Sequence, residues 1–494
     1  MGKKILISLL VLLFFGFQIS LDTKVFAQNG NVVSFRADRI ALINGEPFFP
    51  IGLFTEQMPN LPEDFFAEIS DPETAGFNLV RLVDTDVISK TPEDYAFLST
   101  HNLKAWLTIN SSLTVDKDTK LRTLIANYKN ANFLLAWEGI DEPCYKYYNG
   151  NSLFDPNKVN QNFPGYQTLK NLDTNHPLWH NHWPKVGTGG PCAIPWNINT
   201  NTNVSGVDVY PVGRSDYELE DVGFFTEWSS ELLTPRGPVW MVLQGFGWGD
   251  IEGLSGRRPN YSEIRFMTYD ALVHKQEVSD QIIPGATGIF YYGLAIVNKK
   301  ECGGNPVCEK NGDGMRETQI FSDLKKISHE LKQLELGLLG HINPEFISNN
   351  SQVVVLAKET NNETFVFVVN ESPSSQNVTI PGFSDQYTVK EFFSNEELLV
   401  INRSASLTLL PYSVKILCQK ASPSLSLSLG WNEITWADIS GKKASDIPPE
   451  CPIAVSKQNF WFKPYVRNFG GVNFGFENGK SYYLKCNQEM IWGL

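Results

Sequence analysis

The sequence predicts an α/β protein built on a (β/α)8 barrel, followed by a β-sandwich and a small C-terminal β module. Three observations carry this. From Phe48 onward, short apolar runs alternate with longer amphipathic stretches, the pattern of repeated βα units. Eight such runs fall within roughly 290 residues, close to the ~250 residues plus insertions of a closed barrel. No glycine-rich phosphate loop follows the first run, where Thr55-Glu56-Gln57-Met58-Pro59 stands instead, and this disfavours a doubly wound open sheet.

The strand candidates, in order, are Phe48 to Phe54, Phe77 to Val83, Lys104 to Asn110, Phe133 to Glu142, Pro177 to His182, Val204 to Val212, Pro238 to Trp248 and Thr287 to Leu294. Leu61-Pro62-Glu63-Asp64, Thr91-Pro92-Glu93-Asp94 and Arg258-Pro259-Asn260-Tyr261 read as helix starts, each with proline near the first turn. Ser322 to Gly340 reads as the eighth helix, so the barrel spans residues 28–342. Alternating runs such as Thr364-Phe365-Val366-Phe367-Val368-Val369 then predict a sandwich over 343–420. A Ser-, Pro- and Leu-containing linker is expected at 421–428 and an aromatic β module at 429–494.

Composition bounds the function. With 494 residues and 42% hydrophobic content the chain can bury a large core, and more than one domain is expected. A net charge of −13 argues against nucleic acid or an anionic membrane surface as partner. Lys3 and Lys4, the apolar run Ile5 to Phe17 and the site Val25-Phe26-Ala27 read as a secretory signal over 1–27, so the chain is expected to be secreted or held at the cell surface. No later segment reads as a membrane helix. Seven cysteines in an exported chain point to disulfides with at least one thiol left over: Cys302 with Cys308 and Cys451 with Cys486 are the expected pairs and Cys144 with Cys192 a third candidate, which would leave Cys418 free, although sequence alone does not fix the connectivity. Their spacing does not suggest zinc, and neither a metal nor a cofactor is expected.

In a barrel, chemistry gathers at the C-terminal ends of the strands. Ala136-Trp137-Glu138-Gly139-Ile140-Asp141-Glu142-Pro143 is a buried strand ending on two adjacent carboxylates, which must be paired, protonated or used. Asp141 and Glu142 alone could be a helix cap; with Asp208 on the sixth strand they make a catalytic set. The other strand ends supply candidate substrate contacts: Arg81, Asn110, His180, His182, Trp183, Tyr210, Gln244, Trp248 and Tyr292. Each has a plainer reading, Arg81 as an ion pair, the histidines as hydrogen-bonded loop residues, the tryptophans as packing. Trp137, in mid-strand, reads most readily as core.

Phe77-Asn78-Leu79-Val80-Arg81, Asp141-Glu142-Pro143 and Pro238-Val239-Trp240-Met241-Val242-Leu243-Gln244-Gly245-Phe246 resemble the retaining clan of (β/α)8 glycoside hydrolases, including its β-galactosidase-like and uncharacterised members. The resemblance covers residues 45–340 and implies a secreted hydrolase of carbohydrates with Glu142 as general acid. The last module resembles small C-terminal repeats of bacterial surface proteins that open with Gly-Trp-Asn and close with a Gly-Lys-x-Tyr-Tyr pattern, implying cell-surface association. One departure stands out: the clan places a nucleophilic Glu at the end of strand seven, where this chain has Gln244, and a neutral amide cannot form the glycosyl ester. Three readings follow. Asp208 or another carboxylate supplies the second function; the barrel is a non-hydrolytic glycan-binding relic; or the substrate brings its own nucleophile, such as an acetamido group.

Overall fold

The computed structural model describes residues 30–55, 61–142, 148–149, 153–154, 163–184, 202–231, 233, 237–278, 281–360, 363–385, 388–420, 424–435, 443–458, 461–474, 476, 480–488 and 490–493. The expected signal at 1–27 and the expected Cys144–Cys192 bridge lie outside them. The chain divides into two compact units, 1–339 and 340–494.

The first unit is the closed barrel. Its strands are β1 (Ile51–Leu53), β2 (Leu79–Leu82), β3 (Lys104–Thr108), β4 (Leu134–Glu138), β5 (Leu178–His182), β6 (Val204–Val209), β7 (Trp240–Gln244) and β8 (Gly288–Tyr292). They run parallel in sequential order, and β8 closes on β1. All eight lie inside the apolar runs. The observed strands are shorter because the runs also include the loop residues that follow them.

Side chains alternate across a strand, so every second residue points into the barrel. Trp106, Trp179, Trp240 and Phe290 fill its interior, with Trp106 stacked on Phe290 at 4.6 Å between ring centroids. Glycines make this possible. A Cβ on Gly52 would lie 2.6 Å from the Phe290 ring, and one on Gly288 would lie 2.6 Å from the Trp240 ring. A Cβ on Gly206 would lie 2.1 Å from Trp240 O. Each large side chain kept from water contributes roughly 1.5–3 kcal/mol. The neighbouring parity points outward: Trp137 is fully buried and its Nε1 donates to Asp173 Oδ2 at 2.8 Å, so it is core with its polar atom satisfied.

The expected helix starts hold. Helix α1 (Glu63–Ser70) begins after Pro62 and α2 (Ala96–Thr100) follows a short 3-10 turn capped by Thr91. Helices α3 (Asp118–Tyr128), α4 (Phe163–Leu172) and α5 (Asp221–Glu231) follow β3, β4 and β6. Helix α6 (Tyr261–Val273) opens on a reciprocal cap, Asn260 Oδ1 accepting from Glu263 N at 3.1 Å and Glu263 Oε2 from Asn260 N at 2.9 Å. Helix α7 (Leu294–Cys302) follows β8, and α8 (Gln319–Gln333) covers much of the eighth predicted helix. It starts three residues earlier than the sequence suggested, because Thr318 Oγ1 caps it by accepting from Phe321 N at 3.4 Å.

In the second unit, a six-stranded antiparallel sheet and a three-stranded one enclose a core of Val353, Val355, Val366, Val368, Val378, Ile380 and Leu417, the expected sandwich. A five-stranded sheet, Gly430–Thr435 to Gly470–Gly471, forms the last module. The stretch read as a linker is partly structured: Ser424–Leu427 pairs with Met490–Gly493. Its alternating Ser and Leu suit a strand as well as a spacer. The Cys302–Cys308 and Cys451–Cys486 disulfides are present and Cys418 is a buried free thiol. Among the described residues no helix is long and apolar enough to cross a membrane.

Candidate active site

The inward parity that places tryptophans in the barrel's middle places polar groups at its C-terminal mouth: Arg81 on β2, Glu138 on β4, Asn181 on β5, Asp208 on β6 and Gln244 on β7. All five are buried. Burying charge at this density requires pairing or protonation, and both occur.

Arg81 clamps Glu138 bidentately, Nε donating to Oε2 at 2.7 Å and Nη2 to Oε1, while Trp106 Nε1 donates to Oε2 at 2.8 Å. Burial nevertheless pushes the fully buried Glu138 up to about 7, opposed by Arg81 and reinforced by Asp141. The same Arg81 Nη2 lies 3.8 Å from Asp141 Oδ2. Asp141 also accepts from Asn181 Nδ2 at 3.1 Å.

Beside this cluster, Asp208 meets Glu142. Burial holds Asp208 well above the carboxylate range, followed by the charge of Glu142, a side-chain hydrogen bond with Glu142 and the charge of Asp141. Asp208 is 6% exposed, whereas Glu142 is half-buried. Burial and the neighbouring acids both favour the neutral form of the Asp208 carboxyl. Glu142 sits at φ +46°, a left-handed conformation unusual for a side-chain-bearing residue, and its N–H donates to Asn181 O at 3.0 Å. The loop is thus held in a strained turn that brings Glu142 to Asp208.

Aromatic rings wall the other side. Tyr210 stacks on Tyr292 at 5.8 Å, and Phe246 and Trp248 pack against Tyr210 at 5.2 and 6.3 Å. The Arg214 guanidinium covers Trp248 at 4.6 Å. Burial, then Asp208, pushes the Tyr210 hydroxyl well above its usual range, so it remains a neutral donor. No group of three or more His, Cys, Asp or Glu ligand atoms gathers in the mouth among the described residues.

The structure therefore brings together Asp141, Glu142, Asp208, Arg81, Tyr210, Trp248 and Tyr292. Asn110, in a 3-10 turn after β3, and Trp183 are half-buried. His180 and His182 have the opposite parity to Asn181 and turn away from the barrel interior. His180 Nε2 meets Tyr166 OH of α4 at 2.9 Å and its Nδ1 meets Thr202 Oγ1 at 2.7 Å. Burial lowers His180 well below the usual imidazole value and lowers His182 to about 4, so both are neutral wall residues. Gln244 is fully buried: its Oε1 accepts from Val212 N at 2.8 Å and its Nε2 donates to Val212 O at 2.9 Å and Phe246 O at 3.0 Å. It ties the chain after β6 to the chain after β7, with its polar atoms engaged on backbone. Glu138 and Asn181 were missed by the sequence reading; each lies two residues beyond an inward-facing residue of its strand, Ala136 and Trp179, and so shares its parity.

No family model matches the chain, and no curated protein matches it. Among solved structures it is similar to a GH30 endoxylanase from Clostridium papyrosolvens (TM-score 0.45, 13% identity, covering 80% of this chain and 98% of that one). It is also similar to a catalytic mutant of a GH42 β-galactosidase from G. stearothermophilus (TM-score 0.46, 9% identity, 79% and 100%). A third is α-galactosidase I from Mortierella vinacea (TM-score 0.43, 13% identity, 75% and 96%). At these identities the likeness concerns the fold alone.

Proposed function

We propose that the chain hydrolyses a glycosidic bond in an oligo- or polysaccharide at the barrel mouth, with Glu142 as general acid and base and Asp208 as its partner carboxylate. The observation that carries this reading is the close Glu142–Asp208 carboxyl pair beside an aromatic wall. The half-buried Glu142 is the member that reaches the glycosidic oxygen. The proton resting on Asp208 passes along the hydrogen bond to Glu142, which delivers it to the leaving oxygen, and Asp208 is left as the anion that attacks the anomeric carbon. A contact pair is closer to the roughly 5–5.5 Å spacing of retaining enzymes than to the roughly 6.5–9.5 Å that admits a water, so retention is expected. Tyr210, Tyr292 and Trp248 offer flat faces to the sugar, and Arg81 holds Asp141 for a hydroxyl contact.

Glu142→Gln and Asp208→Asn should each lower turnover at least ~10³-fold with glycan affinity largely kept. Azide should rescue Asp208→Asn to a glycosyl azide of inverted configuration, and Glu142→Gln to one of retained configuration on substrates with good leaving groups. Near-normal hydrolysis by either variant would sink the assignment. A second reading, glycan binding without hydrolysis, is favoured by Gln244, whose amide is spent on backbone where the resembling clan carries its nucleophile. It expects affinity but no turnover by the wild-type chain across α- and β-linked oligosaccharides. The N-terminal run and two disulfides support export, with the last module as a cell-surface attachment; fractionation of the native host tests this.

A further inference from the structure

Behind Tyr292 lies a second cavity of about 840 Å³, bounded by the loop after β7 and the C-terminal turn of α7. Tyr292 forms its boundary with the mouth: its ring stacks on Tyr210, two residues beyond Asp208 on β6. Lys299 and Lys300 also line it, both exposed, and neither is ion-paired or otherwise engaged among the described residues. Of the acids lining the cavity, Asp250 is neutralised by Arg258, whose Nε and Nη2 reach it at 2.9 and 2.8 Å. Glu252 is left as the opposing charge against two ammonium groups. The backbone beneath is fixed by the Cys302–Cys308 bridge and by Gly303, which ends α7 in a left-handed conformation. Lysines in a last helical turn also complement the helix dipole, but that role does not require a cavity before them or an aromatic ring joining it to a carboxylate site.

We propose that this cavity is a subsite for an anionic sugar unit, bearing a carboxylate or a sulfate ester, of the same glycan whose bond is placed at Glu142 and Asp208. The proposal rests on the glycan reading of the mouth. Tyr292 stacks under the linking sugar and the two ammonium groups meet the anion as point charges. A chain with an acidic surface overall thereby presents a local positive site beside its carboxylates, and discriminates among glycans by charge.

The test is isothermal titration of the full chain with tetragalacturonate, a sulfated galactan tetrasaccharide and cellotetraose, at low and high salt, for wild type and Lys299→Ala/Lys300→Ala. At least one anionic ligand should bind more tightly than the neutral one, weaken with salt, and lose roughly tenfold in affinity in the double variant, the scale of two exposed charge contacts. Circular dichroism should show the variant folded, and its hydrolysis of a neutral aryl glycoside should be unchanged. Which of the two anionic ligands responds separates carboxylate from sulfate. No preference for either anion, or equal affinity in wild type and variant, overturns the subsite. Charge-dependent binding without turnover would instead sink the hydrolase reading alone, and turnover accompanied by anionic-glycan binding indifferent to the lysines would sink the subsite alone.

Discussion

At the scale of single residues, the site places function against stability in Asp208. Its folded-state pKa lies above the ordinary value of 3.8, so its contribution to stability is fully present below the unfolded pKa and is lost as pH rises through the folded one. Asn copies the neutral carboxyl without that liability. Asp208→Asn should therefore be at least as stable as wild type at pH 8, within about 1 kcal/mol or better, and should show a flatter stability–pH curve above pH 4 in urea titrations, even while activity collapses. A large loss of stability at pH 8 would show that Asp208 is ionised and paired in the fold. Asp141 and Glu142 were legible in the sequence because two adjacent carboxylates after an apolar strand stand out. Glu138 did not stand out, because a single acid within Leu-Leu-Ala-Trp-Glu looks like a strand's end, and its meaning depends on Arg81, which reaches it from another strand.

Among elements, β6 and β7 are held together twice. Below the mouth, Gly206 leaves no room for a side chain against Trp240 O, and above it Gln244 stitches the segment after β6 to its own. Placing an acid at position 244 should therefore fail. In Gln244→Glu a fully buried carboxylate would replace an amide that donates to two carbonyl oxygens. Losing those donors and setting like-polarity oxygens together should cost about 2–4 kcal/mol. The expected outcome is a lower Tm with no gain in hydrolysis; a stable, more active Gln244→Glu would show that this position is catalytic. The strands themselves were readable from runs such as Trp-Met-Val-Leu-Gln, since all five residues are buried. Orientation was not: His180 and His182 look like site residues in a run, and only the alternation fixed by Trp179 inside the barrel sends them into the wall.

For the whole molecule, the two described disulfides do unequal work. Cys302–Cys308 closes a sequence separation of 6 in a helical loop, and Cys451–Cys486 closes one of 35. Loop-closure entropy makes these worth about 2 and about 4 kcal/mol. The difference is amplified by what each supports. The barrel buries a large aromatic interior, whereas the last module's core is small, built around Ile434, Ala454, Tyr482 and Leu484 with both cysteines among its members. Small cores depend on covalent staples. Calorimetry of the full chain should therefore show that Cys451→Ser/Cys486→Ser lowers or removes the transition of the last module and leaves the barrel's transition in place, while Cys302→Ser/Cys308→Ser moves the barrel's transition by only a few degrees. Equal shifts for the two pairs would mean that the last module is stabilised by packing and not by its staple.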